Sequence, residues 1–210
     1  MLVKKLLGQG GAQGTNDNTL TYTADSNSII AIVCSTSDGT GSNEAGISFS
    51  TSGGIELFFD ERNITNTRKF HFKIKIVSVS AGNTVTATVK CTSTSNSARS
   101  GIAMYELNRS VTPTYYNGVV SSDANVLNIT KSGNTGKALV IYNQISGSGF
   151  SPQCNAEGNP YVFIGGVTAT SNYFVMVADL FNDYSENVTL TQGAGGGSYR
   201  SNGMFVYTYT

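Results

Sequence analysis

Residues 69–92, KFHFKIKIVSVSAGNTVTATVKCT, carry the pattern that decides the fold. In the first part of this stretch, apolar residues alternate with polar ones. The apolar set is Phe70, Phe72, Ile74 and Ile76, and the polar set is His71, Lys73 and Lys75. A period of two places the two sets on opposite faces of an extended strand. The stretch therefore predicts a strand with one buried face and one wet face.

The alternation resumes after Ser80-Ala81-Gly82. Apolar residues at 85, 87, 89 and 91 alternate with Thr84, Thr86, Thr88 and Lys90. Two amphipathic runs joined by a short glycine-containing turn favour an antiparallel hairpin with one wet face. The apolar phase changes at Val77 and Val79, which predicts a β-bulge just before the turn.

Composition indicates a folded, weakly charged domain. The chain has 210 residues, of which 39% are hydrophobic and 12% charged, with a formal net charge of zero. Ser, Thr and Asn make up roughly a third of the chain, so the surface is expected to be rich in hydroxyls and amides. Zero net charge provides no long-range field to attract nucleic acid or an anionic membrane, and we expect neither as a partner. Neutral surfaces associate readily, which favours a homo-oligomer, a dimer or trimer.

Further strands are predicted at residues 19–24, 28–36, 45–51, 55–59 and 101–107, and no helix is predicted beyond a single turn. The run Ile29-Ile30-Ala31-Ile32-Val33-Cys34 is continuous rather than alternating. Such a run is typical of a strand covered on both faces. We expect it at the centre of a sheet.

Three segments recur in the same order at an offset of roughly 105 residues, which indicates a weak internal repeat. The repeated halves span residues 18–110 and 124–210. Each half is expected to hold four or five strands with one apolar face, so the halves should pack face to face. The predicted fold is all-β: a two-sheet antiparallel β-sandwich, jelly-roll-like, formed by a single domain over residues 18–210.

Residues 1–17 combine four large aliphatic side chains with the glycine-rich segment GQGGAQGTND. The aliphatic residues are Leu2, Val3, Leu6 and Leu7. One interpretation is a first edge strand or a frayed terminus. The other is an N-terminal arm that docks on a neighbouring subunit. Glycines interrupt the apolar residues too early for a signal peptide, so we expect synthesis in the cytoplasm.

The residues needed for catalysis or metal binding are sparse. His71 is the single histidine and is expected to face solvent, while Cys34, Cys91 and Cys154 lack metal-site spacing. The segment that begins at Gly193 lacks the lysine of a phosphate-binding loop. We therefore expect no enzymatic activity, no cofactor and no metal.

Two acidic groups and one aromatic pair leave alternatives open. The acidic groups are Asp38, Asn43 and Glu44, and Asp179, Asn182, Asp183 and Glu186. Both fit ordinary turns, and calcium ligation is the alternative. The tyrosine pair, Tyr115 and Tyr116, follows Pro113 and belongs either to the core or rim of the sandwich or to a surface that stacks on a sugar or a partner.

The order of SIIAIVCSTS, KFHFKIKIVSV and NTVTATVKCTSTSNSARSGIAMYELN resembles that of β-sandwich proteins of tailed bacteriophage particles, especially jelly-roll head decoration (cement) proteins. The order returns in ALVIYNQIS, YFVMVADLF and NGMFVYTY, so the resemblance covers roughly residues 18–210. It implies a non-enzymatic virion protein that binds the major capsid protein and clamps neighbouring subunits from outside.

The alternative is a tail, fibre or receptor-recognition module of such a particle. Its polar loops at residues 35–44 and 146–160 would then contact a glycan. Either function predicts a location in the virion.

Overall fold

A computed structural model describes residues 2–38, 47–65, 69–94, 98–121, 127–131, 137–146, 152–156, 161–164, 173–180, 188–194 and 199–210. These residues form strands, turns and short connections, and none of them is helical. The all-β prediction is confirmed.

The described residues of the first half form eight strands. They are β1 (Val3–Gln13), β2 (Asn18–Thr23), β3 (Ser28–Asp38), β4 (Ile47–Ser52), β5 (Ile55–Thr65), β6 (Lys69–Val79), β7 (Thr84–Cys91) and β8 (Ala98–Leu107). The second half contributes eight more. They are β9 (Thr114–Ser121), β10 (Leu127–Lys131), β11 (Lys137–Ser146), β12 (Pro152–Ala156), β13 (Tyr161–Ile164), β14 (Tyr173–Leu180), β15 (Val188–Ala194) and β16 (Tyr199–Tyr209).

The strands pair into four antiparallel sheets. Sheet A has the order β1-β8-β3-β6-β5 and sheet B the order β2-β7-β4. Sheet C reads β9-β16-β11-β14-β13 from its β9 edge, and sheet D reads β10-β15-β12. Adding eight to each strand number of sheets A and B gives sheets C and D. The weak sequence repeat therefore corresponds to two units with the same connectivity.

Sheets A and C pack face to face, as the apolar faces of the two halves predict. Their shared central core includes Phe72 and Ile74 from β6 and Phe205 and Tyr207 from β16. The rings of Phe72 and Phe205 stack with their centroids 4.8 Å apart. Aromatic side chains bury the largest apolar area per residue, so this contact is a main source of cohesion between the halves.

Sheet A also has a second apolar face, which sheet B covers. The lateral core between these sheets includes Ile30 and Ile32 from β3, and Val85 and Val89 from β7. Strand β3 lies in the middle of sheet A, and its residues alternate between the central core and the lateral core. The prediction of a central strand covered on both faces is confirmed.

Within the described ranges, each half forms eight strands rather than the predicted four or five. The reason is that the two large sheets close over one another and each half also has a three-stranded sheet. Both faces of a large sheet then carry apolar residues, so a count based on one apolar face is too low.

The predicted hairpin of residues 69–92 is wrong, because β6 belongs to sheet A and β7 to sheet B. The chain crosses between the sheets at Gly82, whose φ of 78° favours glycine. The amide of Gly82 donates to the carbonyl of Ala24 at 2.8 Å, which fixes this corner.

The predicted bulge lies on the neighbouring strand. Strand β6 pairs with β3 without a register shift, whereas β5 has an extra residue between Glu56 and Phe58. The apolar phase changes at Val77 and Val79 because these two side chains enter the lateral core, while Ile76 enters the central core.

The outer face of sheet B carries a row of paired threonine hydroxyls. Thr19 and Thr88 are 2.8 Å apart, Thr21 and Thr86 3.1 Å, and Thr23 and Thr84 2.9 Å, each distance joining the two Oγ1 atoms. Cross-strand threonine pairs stabilise a sheet without adding charge. This face is the hydroxyl surface that the composition predicts.

Candidate functional site

Leu2 and Val3, at the start of the described chain, lie inside its own core. Leu2 and Val3 are almost fully buried in the central core. The carboxylate of Asp179 on β14 accepts hydrogen bonds from the amides of both residues, the one from Val3 at 2.8 Å. It also accepts a hydrogen bond from the Tyr209 hydroxyl. The start of the first half is thereby attached to the second half.

The other two aliphatic residues of this segment also pack inward. Leu6 contacts the central core and Leu7 the lateral core. Strand β1 is the edge strand of sheet A, paired with β8. The structure therefore has the edge strand rather than the docking arm, because Leu2 and Val3 are buried and Leu6 and Leu7 partly buried by the chain itself.

Tyr115 and Tyr116 point in different directions from β9. The Tyr115 ring meets the Tyr207 ring edge-on at 5.5 Å and lies under the Arg62 guanidinium, 4.2 Å from Cζ to the ring centroid. Tyr116 is half-buried, and its hydroxyl donates to the Thr130 carbonyl at 3.3 Å. The structure places Tyr115 at the rim of the central core, and contact of Tyr116 with a sugar or partner stays a prediction.

A polar cluster joins β5 to β16 beside this ring. Asp60 accepts a hydrogen bond from Arg62 Nε at 2.8 Å and one from the Tyr207 hydroxyl at 2.9 Å. The Arg62 pKa is raised, first by the hydrogen bond to Asp60, and the Tyr207 pKa is raised chiefly by burial. Arg62 therefore stays charged and Tyr207 neutral, which suits a fixed structural contact between the halves.

His71 lies on β6, opposite Thr36 of β3 and Asn63 of β5, and is partly buried rather than solvent-facing. Cys34 and Cys91 are buried free thiols. A free cysteine in a strand is typically buried like a small hydrophobic residue. Burial raises the Cys34 pKa, so this thiol stays protonated and unreactive.

Asp179 lies on β14 rather than in a loop, and its carboxylate is occupied by internal hydrogen bonds. The other members of the two acidic groups either lie outside the described residues or have no described side chain. Most of the two polar loops at residues 35–44 and 146–160 falls outside them as well. Among the described residues, no group of acidic, histidine or cysteine side chains could hold a metal ion, and no helix is long and apolar enough to cross a membrane.

Strand β5 presents the most conspicuous exposed surface of the described chain. It forms one edge of sheet A, and its pairing with β6 runs without a shift from Phe58 to Thr65. Ile55 is 73% exposed and Leu57 38% exposed. The opposite edge strand, β1, is interrupted by two register shifts. Because a bulged edge is a poor template for another strand, the part of β5 beyond its own bulge, from Phe58 to Thr65, is the better pairing edge of sheet A.

A groove lies beside this edge, between β4, β5 and β6. It has a volume of about 340 Å³ and is lined by Ser50, Thr51, Glu56, Phe59, Lys73 and Lys75. Sequence patterns missed it because the lining comes from three strands. Only the register, which sets Phe59 opposite Lys75, brings these side chains together.

Comparison with protein-family models, curated proteins and solved structures finds no match to this chain.

Proposed function

We propose that the chain is a non-enzymatic structural protein of a virus particle, which binds the outside of a capsid and stabilises it. The observation that carries the proposal is the edge of β5, regular from Phe58 to Thr65, with Ile55 and Leu57 exposed beside it at the bulge. We infer the kind of particle from the resemblance of the segment order to that of phage head decoration proteins. The partner is then the major capsid protein or another virion protein.

The edge supports docking through two kinds of contact. An unpaired edge strand offers backbone N–H and C=O groups to an extended segment of a partner, which adds as a further strand. Burial of Ile55 and Leu57 against that segment contributes about 25 cal/mol for each Å² of apolar surface removed from water. Main-chain pairing sets the orientation of the partner segment, and the two aliphatic residues provide apolar contact with it.

The rest of the molecule is suited to this task. The large sheets are joined through a packed core and the Asp60 cluster, which makes the two halves one rigid support for the edge. The net charge is zero and the exposed face of sheet B is lined by threonines, so identical copies arrayed on a particle would not repel one another electrostatically. Jelly-roll classification, oligomeric state and location in the virion stay predictions.

A tail, fibre or receptor-binding module is the second candidate. The groove beside β5 favours it, because hydroxyl, charged and aromatic side chains converge there. In that case the chain would recognise a glycan, although at a site other than the two polar loops.

Binding to particles tests the docking edge. Capsids that lack the chain are incubated with the purified protein, and co-sedimentation and cryo-electron microscopy locate it. Ile55→Lys with Leu57→Lys should abolish binding, because two charges on the edge block strand addition and apolar burial.

The matched control is Thr19→Lys with Thr21→Lys, which adds the same charge on the exposed face of sheet B. It should bind like the unchanged protein, and both variants should keep the β circular dichroism spectrum. Undiminished binding of the β5 variant would refute the docking edge, and failure of the unchanged protein to bind capsids would refute the proposed function.

A further inference from the structure

The groove arises from unequal sheet widths. Sheet A has five strands and sheet B three, and the short edge strand β4 lies over β6 and β5. Part of the inner face of β5 and β6 therefore remains open beside β4. The volume of about 340 Å³ is near the lower end of the range for small-molecule sites, roughly 300–1,000 Å³. It suits a ligand of one or two rings.

The charges in and beside the groove are paired. Lys75 Nζ lies 2.8 Å from Glu56 Oε2, and Lys73 Nζ lies 3.2 Å from Glu61 Oε2. Two positive and two negative side chains leave no net charge to attract an anion or a cation. With Glu61 beside the lining, the groove as a whole favours a neutral ligand.

The polar groups are also held in place. The two lysine side chains are only 13% and 19% exposed, and Lys75 Nζ donates to Thr51 Oγ1 at 2.9 Å. Ammonium groups donate, carboxylates accept, and the hydroxyls of Ser50 and Thr51 do both. Largely buried donors next to half-exposed acceptors match a ligand whose hydroxyls do both, and the restricted lysine side chains lower the entropy cost of binding.

Phe59 supplies the apolar part of the site. It stands opposite Lys75 on the neighbouring strand, lies between Glu56 and Glu61 along β5, and is 43% exposed. The aromatic ring offers an apolar surface to the C–H groups of a ligand. The polar side chains beside the ring offer hydrogen bonds to its hydroxyls. Pyranose rings have this division, with an apolar face and a rim of hydroxyls.

We propose that the groove of β4, β5 and β6 binds a neutral saccharide of one or two rings, with Phe59 under the sugar ring and Lys75, Glu56 and Thr51 on its hydroxyls. This inference deepens the second candidate function, on which it rests, and does not depend on capsid binding, because the docking edge uses the backbone of β5 with Ile55 and Leu57. A free sugar and a surface polysaccharide share this chemistry.

Nuclear magnetic resonance titration of the full chain with neutral mono- and disaccharides tests the site. Saturating shifts are expected at the amides of β4, Phe59 and Lys73–Lys75 in the millimolar range. An array of immobilised neutral polysaccharides forms the second arm. If the chain binds an immobilised polysaccharide more tightly than the soluble disaccharide, the ligand is a surface polymer. If the two affinities are equal, the ligand is a free sugar.

Two variants examine the assigned contacts. Phe59→Ala should weaken binding roughly tenfold, while Phe59→Tyr should keep it. Lys75→Met keeps the aliphatic stem but removes the donors and should also weaken binding. Its matched control is Lys90→Met on β7, whose ammonium lies 3.6 Å from Asp17 outside the groove, and this variant should bind normally.

Circular dichroism and the thermal midpoint establish that each variant is folded before its affinity is compared. The proposal is overturned if no neutral saccharide shifts the groove amides at high millimolar concentration. It is also overturned if folded Phe59→Ala binds as well as the unchanged chain, or if inorganic phosphate or an extended peptide is the only ligand that binds the groove.

Discussion

The Phe72 ring of the first half stacks on the Phe205 ring of the second, with 4.8 Å between centroids and 18° between ring planes. Both side chains are fully buried in the central core. Truncation of either ring would leave a cavity in the contact between the large sheets. We expect Phe72→Ala or Phe205→Ala to lower the free energy of unfolding by about 3–5 kcal/mol in urea denaturation.

Phe205→Leu fills part of the same space and should cost clearly less. Equal losses for the leucine and alanine variants would show that volume at this position is unimportant, contrary to a close-packed contact.

Asp179 holds the start of β1 through the amides of Leu2 and Val3 and receives the Tyr209 hydroxyl. Asp179→Asn keeps the size but removes the charge and places an NH₂ group where an acceptor is needed. We expect a loss of about 1.5–3 kcal/mol in the free energy of unfolding, with faster hydrogen exchange at Val3. Tyr209→Phe removes a single donor and should cost about 1 kcal/mol. Unchanged exchange at Val3 in Asp179→Asn would contradict the assigned role.

Glu106 links β8 to the start of β1, with Lys4 Nζ at 2.8 Å and Lys5 Nζ at 3.3 Å. The hydrogen bond from Lys4 is the main reason that its pKa lies below the ordinary value of 4.5. Because the folded pKa is lower than the unfolded one, the contribution of Glu106 to stability is complete above pH 4.5 and is lost as the pH falls through the folded pKa.

Urea midpoints measured from neutral pH down to the acid range check this contribution. Below pH 4.5, the stability of Glu106→Gln should fall less steeply than that of the unchanged chain. The control is Asp25→Asn, at an exposed turn position, which should reduce this fall by a smaller amount. Superimposable pH profiles for the unchanged chain and Glu106→Gln would exclude the linkage.

Gly118 of β9 lies under Ile64 of β5. A Cβ at this position would lie 2.5 Å from Ile64 Cδ1 and 2.5 Å from the Tyr115 hydroxyl. Gly118→Ala should therefore destabilise by about 1–3 kcal/mol through overpacking. Ile64→Val removes Cδ1 and should cost less in the Gly118→Ala background than in the unchanged chain, as a double-mutant cycle measures. Strict additivity would mean that the two residues do not press on one another.

The spacing of apolar residues along the chain correctly predicted which faces of individual strands are buried. The continuous apolar run at Ile29–Cys34 identified the centre of sheet A, because a strand covered on both faces has no polar alternation. In the same way, the alternation from Thr84 to Cys91 correctly indicated one buried and one wet face.

Pairing between strands was less predictable. A period of two does not tell which sheet a strand joins, and the turn at Gly82 suits a corner between sheets as well as a hairpin. The groove was beyond local patterns for a related reason. Phe59 and Lys75 are neighbours only through the register of β5 and β6, and the open space above them depends on the width of sheet B.

The shared strand order of the two halves has a consequence for assembly. The halves share one connectivity and meet through corresponding large sheets, as two copies would in a homodimer. Residues 108–113 join them covalently, so their association is intramolecular and its strength is set by effective concentration. Dilution that would dissociate a true dimer therefore leaves this pair together.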